Sequence, residues 1–192
     1  EYYVGADLAI SEKDKRAYTV FVVAGLNRHN KLVVVDVERF RGDALVIIDT
    51  LFALQERYNP EVVFMEEENI ARSIGPVIDQ EMFARNTFCN IQTMVPTKDK
   101  VQRARGIQAR MKAGGVLFDT EADWYPTFLN EMITFPRGAY VDQVDAFSWI
   151  GLGLNKVVPA YTQGQLAQFE YDEEFGEELK ESFGGRSKIT GY

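Results

Sequence analysis

The chain has 192 residues, 29 of them acidic and 21 basic, for a net charge of −8, and 46% of its residues are hydrophobic. One cysteine, Cys89, excludes an internal disulfide. No apolar stretch is long enough to span a bilayer and no signal peptide is visible, so a cytoplasmic protein without a membrane partner is expected.

The length suits one domain. Residues 2–9 read as a strand, 11–16 as a polar turn, and Tyr18 to Ala24 and Lys31 to Val37 as two further strands. The link Gly25–Asn30 has the glycine and asparagine of a hairpin turn. The first forty residues therefore predict an antiparallel β-meander. After Gly42 the period changes. Ala44, Ile47, Ile48, Leu51, Leu54 and Tyr58 line one helix face, with Asp43 as N-cap and Asn59-Pro60 as the stop. Residues 61–66 form a short apolar strand of the kind buried on both faces.

A helix over 74–86, a strand over 90–94 and a helix over 98–113 follow, the last closed by Gly114-Gly115. Val116 to Phe118 is a short extended piece. Trp124 to Thr134 and Asp142 to Asn155 are the last predicted helices. This order predicts an α/β fold: a mixed five-stranded sheet, a β-meander then alternating helix and strand, with helices on both faces. The first strand is placed centrally, beside the strand at 61–66. Residues 1–157 form the expected domain, and 158–192 an acidic, glycine-containing arm or flexible tail. The region after Val158 carries seven acids and three bases, half of the net negative charge.

Three acidic positions stand out. Asp7 lies among Val4, Leu8 and Ile10, where strand propensity disfavours it. A buried carboxylate is costly unless positive charge joins it. The structural alternative is a strand end with the carboxylate in water. Glu66 is the first residue after the apolar run Val62–Met65. Glu67 and Glu68 fit a solvated loop better. Asp142 and Asp145 share a helix face, and capping of that helix is the alternative role for Asp142. Placed together, these carboxylates suit hard divalent cations. Pairs of such ions, roughly 3.5–4 Å apart, drive phosphodiester hydrolysis.

The only histidine, His29, falls in the predicted hairpin turn, which speaks against zinc and Ser-His-Asp chemistry. Cys89 reads as a small core residue rather than a nucleophile. Net negative charge argues against nucleic-acid binding. Yet Lys98, Lys100, Arg103, Arg105, Arg110 and Lys112 cluster within fifteen positions. Most basic helices are simply solvated. Lys98 and Lys100 follow a strand end, where sites lie, so DNA phosphate is a natural ligand for them.

Several segments together resemble the nuclease domain of the large terminase subunit, the DNA-packaging enzyme of tailed bacteriophages. They are Val-Gly-Ala-Asp-Leu-Ala at 4–9, Phe64 to Pro76, Lys98 to Gly114, Trp124 to Pro136, and Val-Asp-Gln-Val-Asp-Ala at 141–146. The match covers roughly the first 155 residues. The resemblance implies an RNase H-like fold, two Mg²⁺ or Mn²⁺ ions, and endonucleolytic cutting of concatemeric double-stranded viral DNA. It implies Asp7, Glu66 and Asp142 as the acidic triad, with Asp145 assisting. Lys98, Lys100 and Arg103 are the residues expected to hold DNA phosphates. The resemblance also implies the portal protein and the small terminase subunit as partners, in the host cytoplasm and transiently at the procapsid portal.

In the family's last motif the aspartates are often adjacent. Here Val141 precedes Asp142, which leaves the third ligand open between Asp142 and Asp145. There is no Gly-x-x-x-x-Gly-Lys-Ser/Thr loop. An excised domain lacking the N-terminal packaging ATPase is therefore expected. A junction resolvase or recombinase of the same fold, and a non-catalytic docking module, are the alternatives.

Overall fold

A computed structural model describes residues 1–9, 17–67, 74–95 and 99–157, with side chains through Asn155 in the last segment. The predicted turn at 11–16, Glu68, Lys98 and the arm at 158–192 lie outside the described residues. The described strands are β1 (Tyr2–Asp7), β2 (Thr19–Leu26), β3 (Leu32–Phe40), β4 (Val62–Glu66), β5 (Ile91–Met94) and β6 (Val116–Phe118). The helices are α1 (Ala44–Tyr58), α2 (Gly75–Arg85), α3 (Lys100–Lys112), α4 (Tyr125–Thr134) and α5 (Asp142–Val157).

These strands form one sheet in the order β5-β4-β1-β2-β3-β6. β1 is central, antiparallel to β2 and parallel to β4. The sheet has six described strands rather than the expected five. Val116–Phe118 is too short to show a period, but Leu32, Val33 and Val34 pair with it in parallel and draw it into the sheet.

Local signals set most boundaries. The Asp43 carboxylate accepts from the amides of Leu45 and Val46 at 3.0 and 3.1 Å, satisfying two of the donors that open α1. Asn59 takes a left-handed conformation and closes that helix. Gly114, at φ +70°, ends α3, and the Gly115 amide donates back to the Arg110 carbonyl at 2.9 Å.

The side-chain alternation of β1 divides the core. Val4, Ala6 and Leu8 join Phe21, Val23, Val63 and Met65 on one face. There they pack against Ile47, Ile48, Leu51, Phe52 and Leu54 of α1 and against Ile74 and Ile78 around α2. Each such aliphatic or aromatic side chain contributes about 1.5–3 kcal/mol when fully buried. Tyr3, Gly5 and Asp7 face the other way, toward α5. A methyl group on Gly5 would collide with the Ala146 carbonyl oxygen and meet Ile150 Cγ1 at 2.8 Å. The missing side chain lets α5 lie against the strand. Helices thus cover both faces. β1 and β4, being parallel, end at the same edge of the sheet, on Asp7 and Glu66.

Candidate metal centre

Asp7 is the last residue of β1 and Glu66 the last of β4. The parallel register pairs Ala6 with Met65, so Asp7 and Glu66 follow side by side on the face toward α5. That face also receives the first turn of α5. Its two acids, Asp142 and Asp145, are one turn apart and both turn toward the strand ends. Asp7 sits at a strand end rather than mid-strand, and it keeps a partial opening to solvent.

Packing around the Asp7 carboxyl nonetheless removes most of its water. That burial pushes its pKa up to about 8, with repulsion from Asp145 and Asp142 adding to the rise. Lys100 opposes it and Glu66 adds a smaller repulsion. The other three predicted acids and Lys100 therefore all act on Asp7 at this end of the sheet.

Each carboxylate in the α5 turn has a different engagement. Asp142 is half-buried, and its Oδ2 accepts from the Tyr18 backbone amide at 3.1 Å. Its partner thus lies just before β2, not in its own helix as a cap would. Asp145 is 3% exposed. It accepts from Lys100 Nζ at 2.5 Å and from Arg103 Nη2 at 2.7 Å. Charge-assisted bonds of this kind are the stronger class, and a buried carboxylate needs them.

Arg103 is 6% exposed, with its guanidinium 5.1 Å from the Trp149 ring centre. Of the three residues expected on DNA, Lys100 and Arg103 turn inward to Asp145. The Lys100 side chain remains half exposed, and Lys98 lies outside the described residues. Arg110 of the same helix also turns inward, to Asn30 Oδ1 at 3.3 Å. Three of the five basic side chains of α3 thus bond to Asp145 or Asn30 rather than forming a simple solvated face.

Among the described residues, no group of three or more Asp, Glu, His or Cys side chains is arranged to hold a metal ion. Asp145 instead faces two cations and Asp142 a backbone amide. By chemistry the donor set fits a hard divalent cation, because it is all carboxylate oxygen. His29 lies in the β2–β3 turn and Cys89 is buried before β5, with its thiol pushed up to about 11 by burial. Neither reaches this edge.

Sequence reasoning missed the support around α5. Glu131 of α4 is 4% exposed. It accepts from the Gln143 backbone amide at 2.6 Å and from Gln143 Nε2 at 2.7 Å, and lies 3.9 Å from Arg39 Nε. It thereby satisfies one of the unpaired amides that open α5 and holds that turn in place. A signal existed: Glu131 follows Phe128 by three residues, on the buried face of α4.

No protein-family model matches the chain, and no curated protein matches it. Solved structures do. The large terminase nuclease of thermophilic phage G20c with bound magnesium is 20% identical, covers 79% of this chain and 80% of its own, and superposes with a TM-score of 0.57. Structures of that nuclease also exist with zinc and with cobalt. The large terminase nuclease domain of Thermus phage P74-26 is 22% identical, covering 77% of this chain and 76% of its own, at 0.54. The yeast mitochondrial Holliday junction resolvase Ydc2 is 13% identical, covering 92% and 85%, at 0.52. At these identities the likeness is one of fold. The chain has an RNase H-like fold, and the resemblance to large terminase nuclease domains holds at that level.

Proposed function

We propose that this chain is a divalent-metal-dependent endonuclease domain that cuts double-stranded DNA. One observation carries the reading: Asp7 ends β1 beside Glu66 at the end of β4, and the charges of Glu66, Asp142 and Asp145, from two further elements, all bear on the Asp7 carboxyl and repel its charged form. Repulsion of that kind is relieved by a cation. Asp7 and Asp142 would share one ion, and Glu66 would serve a second, with Mg²⁺ or Mn²⁺ the fitting species. Such ions activate an attacking water and stabilise the leaving oxygen.

The chain's own residues do the positioning. Tyr18 and Glu131 fix the α5 turn. Arg103 and Lys100 compensate Asp145, which makes Asp142 the more available third ligand. The half-exposed Lys100 can also meet a DNA phosphate, and Lys98 would join it there. By fold analogy, the cut would fall in concatemeric viral DNA during genome packaging. The partners would be a packaging ATPase domain, the portal and a small terminase subunit, in the host cytoplasm. Magnesium, zinc and cobalt in the G20c structures support a divalent ion.

The test is plasmid cleavage with Mn²⁺ or Mg²⁺. The parent chain is expected to nick and linearise DNA, and Asp7→Asn to lose at least about a hundredfold in rate. Equal cutting by Asp7→Asn would sink the assignment. A junction resolvase is the second reading. It is favoured by the 92% of this chain that the match to the yeast resolvase covers. Faster cleavage of a four-way junction than of linear duplex would establish it.

A further inference from the structure

We propose that Tyr18, Arg39, Arg41 and Tyr140 form a second DNA-binding subsite, which holds the strand two to three nucleotides from the bond to be cut. The proposal rests on the nuclease reading for the position of that bond. The four residues make one cluster. The Arg39 guanidinium carbon stands 3.5 Å from the Tyr18 ring centre, and that of Arg41 stands 4.0 Å from the same centre. Arg39 also lies 5.1 Å from the Tyr140 ring centre, and the two tyrosines meet edge to face at 5.3 Å. Arg41 is exposed, and Tyr140 is 40% exposed.

The sheet puts this cluster beside the carboxylates. Asp7 pairs with Val20, and Val20 pairs with Arg39. Directly paired residues share a face, so Asp7 and Arg39 stand on the α5 side, two strands apart. At 4.7–4.9 Å per strand, their backbones are about 10 Å from each other. A stacked strand rises 3.4 Å per nucleotide, so about three nucleotides bridge that gap. The Tyr18 amide, bonded to Asp142, ties the cluster physically to the site.

The chemistry fits a nucleic-acid strand. Arg39 faces Glu131 on its inner side at 3.9 Å, and the exposed Arg41 brings a second guanidinium to the same ring from the solvent side. Arginine suits phosphate because its planar fork donates in pairs. The exposed tyrosine ring supplies a surface for a sugar or base. Positive charge beside the carboxylates also answers the objection from net charge, since a local patch suffices to steer a polyanion. These residues come from the end of β3, the residue just after it, and the segments just before β2 and α5, not from the basic helix α3.

Fluorescence anisotropy with labelled duplex, single-stranded and four-way-junction DNA tests this, with Ca²⁺ replacing Mg²⁺ to prevent cutting. Arg41→Gln is expected to weaken binding and lower the salt slope by about one unit. Tyr140→Ala should weaken binding about fivefold or more, most of all on single-stranded or junction DNA, while Tyr140→Phe binds as the parent does. Arg57→Gln, on the opposite face in α1, should bind unchanged. Folding of each variant is checked by its thermal midpoint.

The proposal is overturned if the parent binds no DNA. It is also overturned if Arg41→Gln keeps the parent's affinity and salt slope, or if Tyr140→Phe loses as much as Tyr140→Ala. The two readings fail separately. Binding that depends on Arg41 without metal-dependent cutting removes the nuclease and keeps the subsite. Cutting with an unchanged KM in Arg41→Gln removes the subsite and keeps the nuclease.

Discussion

Asp7 shows what one misplaced-looking acid does when its neighbours are also acids. Burial and repulsion hold its carboxyl protonated far above the usual range, up to about 8 in the absence of a cation. The stability consequence has a definite sign. The folded state keeps a proton that the unfolded chain releases near 3.8. Asp7's stabilising contribution is therefore complete below about pH 4 and is lost as pH rises toward 8. Between pH 5 and 7 in chelator, this group should remove on the order of 2 kcal/mol from the parent. Asp7→Asn has no such proton to lose and should not show that drop. Mg²⁺ at pH 7 should raise the thermal midpoint of the parent and leave Asp7→Asn unmoved. An identical pH drop in both proteins contradicts this. Asp7 was legible in the sequence because an aspartate beside Val4, Leu8 and Ile10 is anomalous. Its engagement was not. Asp142 finds the Tyr18 amide 124 positions away, and Asp145 finds Lys100 and Arg103 45 and 42 positions away. No local pattern carries such pairings.

At the scale of elements, α5 decides whether the acids meet. Its depth is set by Gly5, where a methyl group would strike the Ala146 carbonyl. Its first turn is held by Glu131 and Tyr18. Gly5→Ala should therefore destabilise the fold by about 1–3 kcal/mol through overpacking and move Asp142 and Asp145 away from β1. Urea unfolding and metal-dependent cleavage measure the two effects. A Gly5→Ala variant with the parent's stability and activity contradicts this account of the helix. Element positions were mostly readable, since α1 announces itself by period, Asp43 and Asn59. β6 was not, because three residues give no period and only β3 makes them a strand. The basic helix misled for a related reason. Its charge pattern was visible, but the inward turn of Arg103 and Arg110 depends on α5 and on the β2–β3 turn.

The described residues gather four carboxylates at one end of a mixed sheet. Two parallel strands end there on Asp7 and Glu66, and the last described helix begins there on Asp142. The sheet order follows from a meander plus alternating units, which is why the central place of β1 could be read from the sequence. Among the described residues, no helix is long and apolar enough to cross a membrane. The proposed function requires a divalent cation held at this end of the sheet by Asp7 and Asp142. A crystal soaked in Mn²⁺, measured for anomalous scattering, tests it most directly. A manganese peak ligated by both carboxylates is expected, and its loss in Asp7→Asn. A peak on other residues, or none between Asp7 and Asp142 at saturating Mn²⁺, would contradict it.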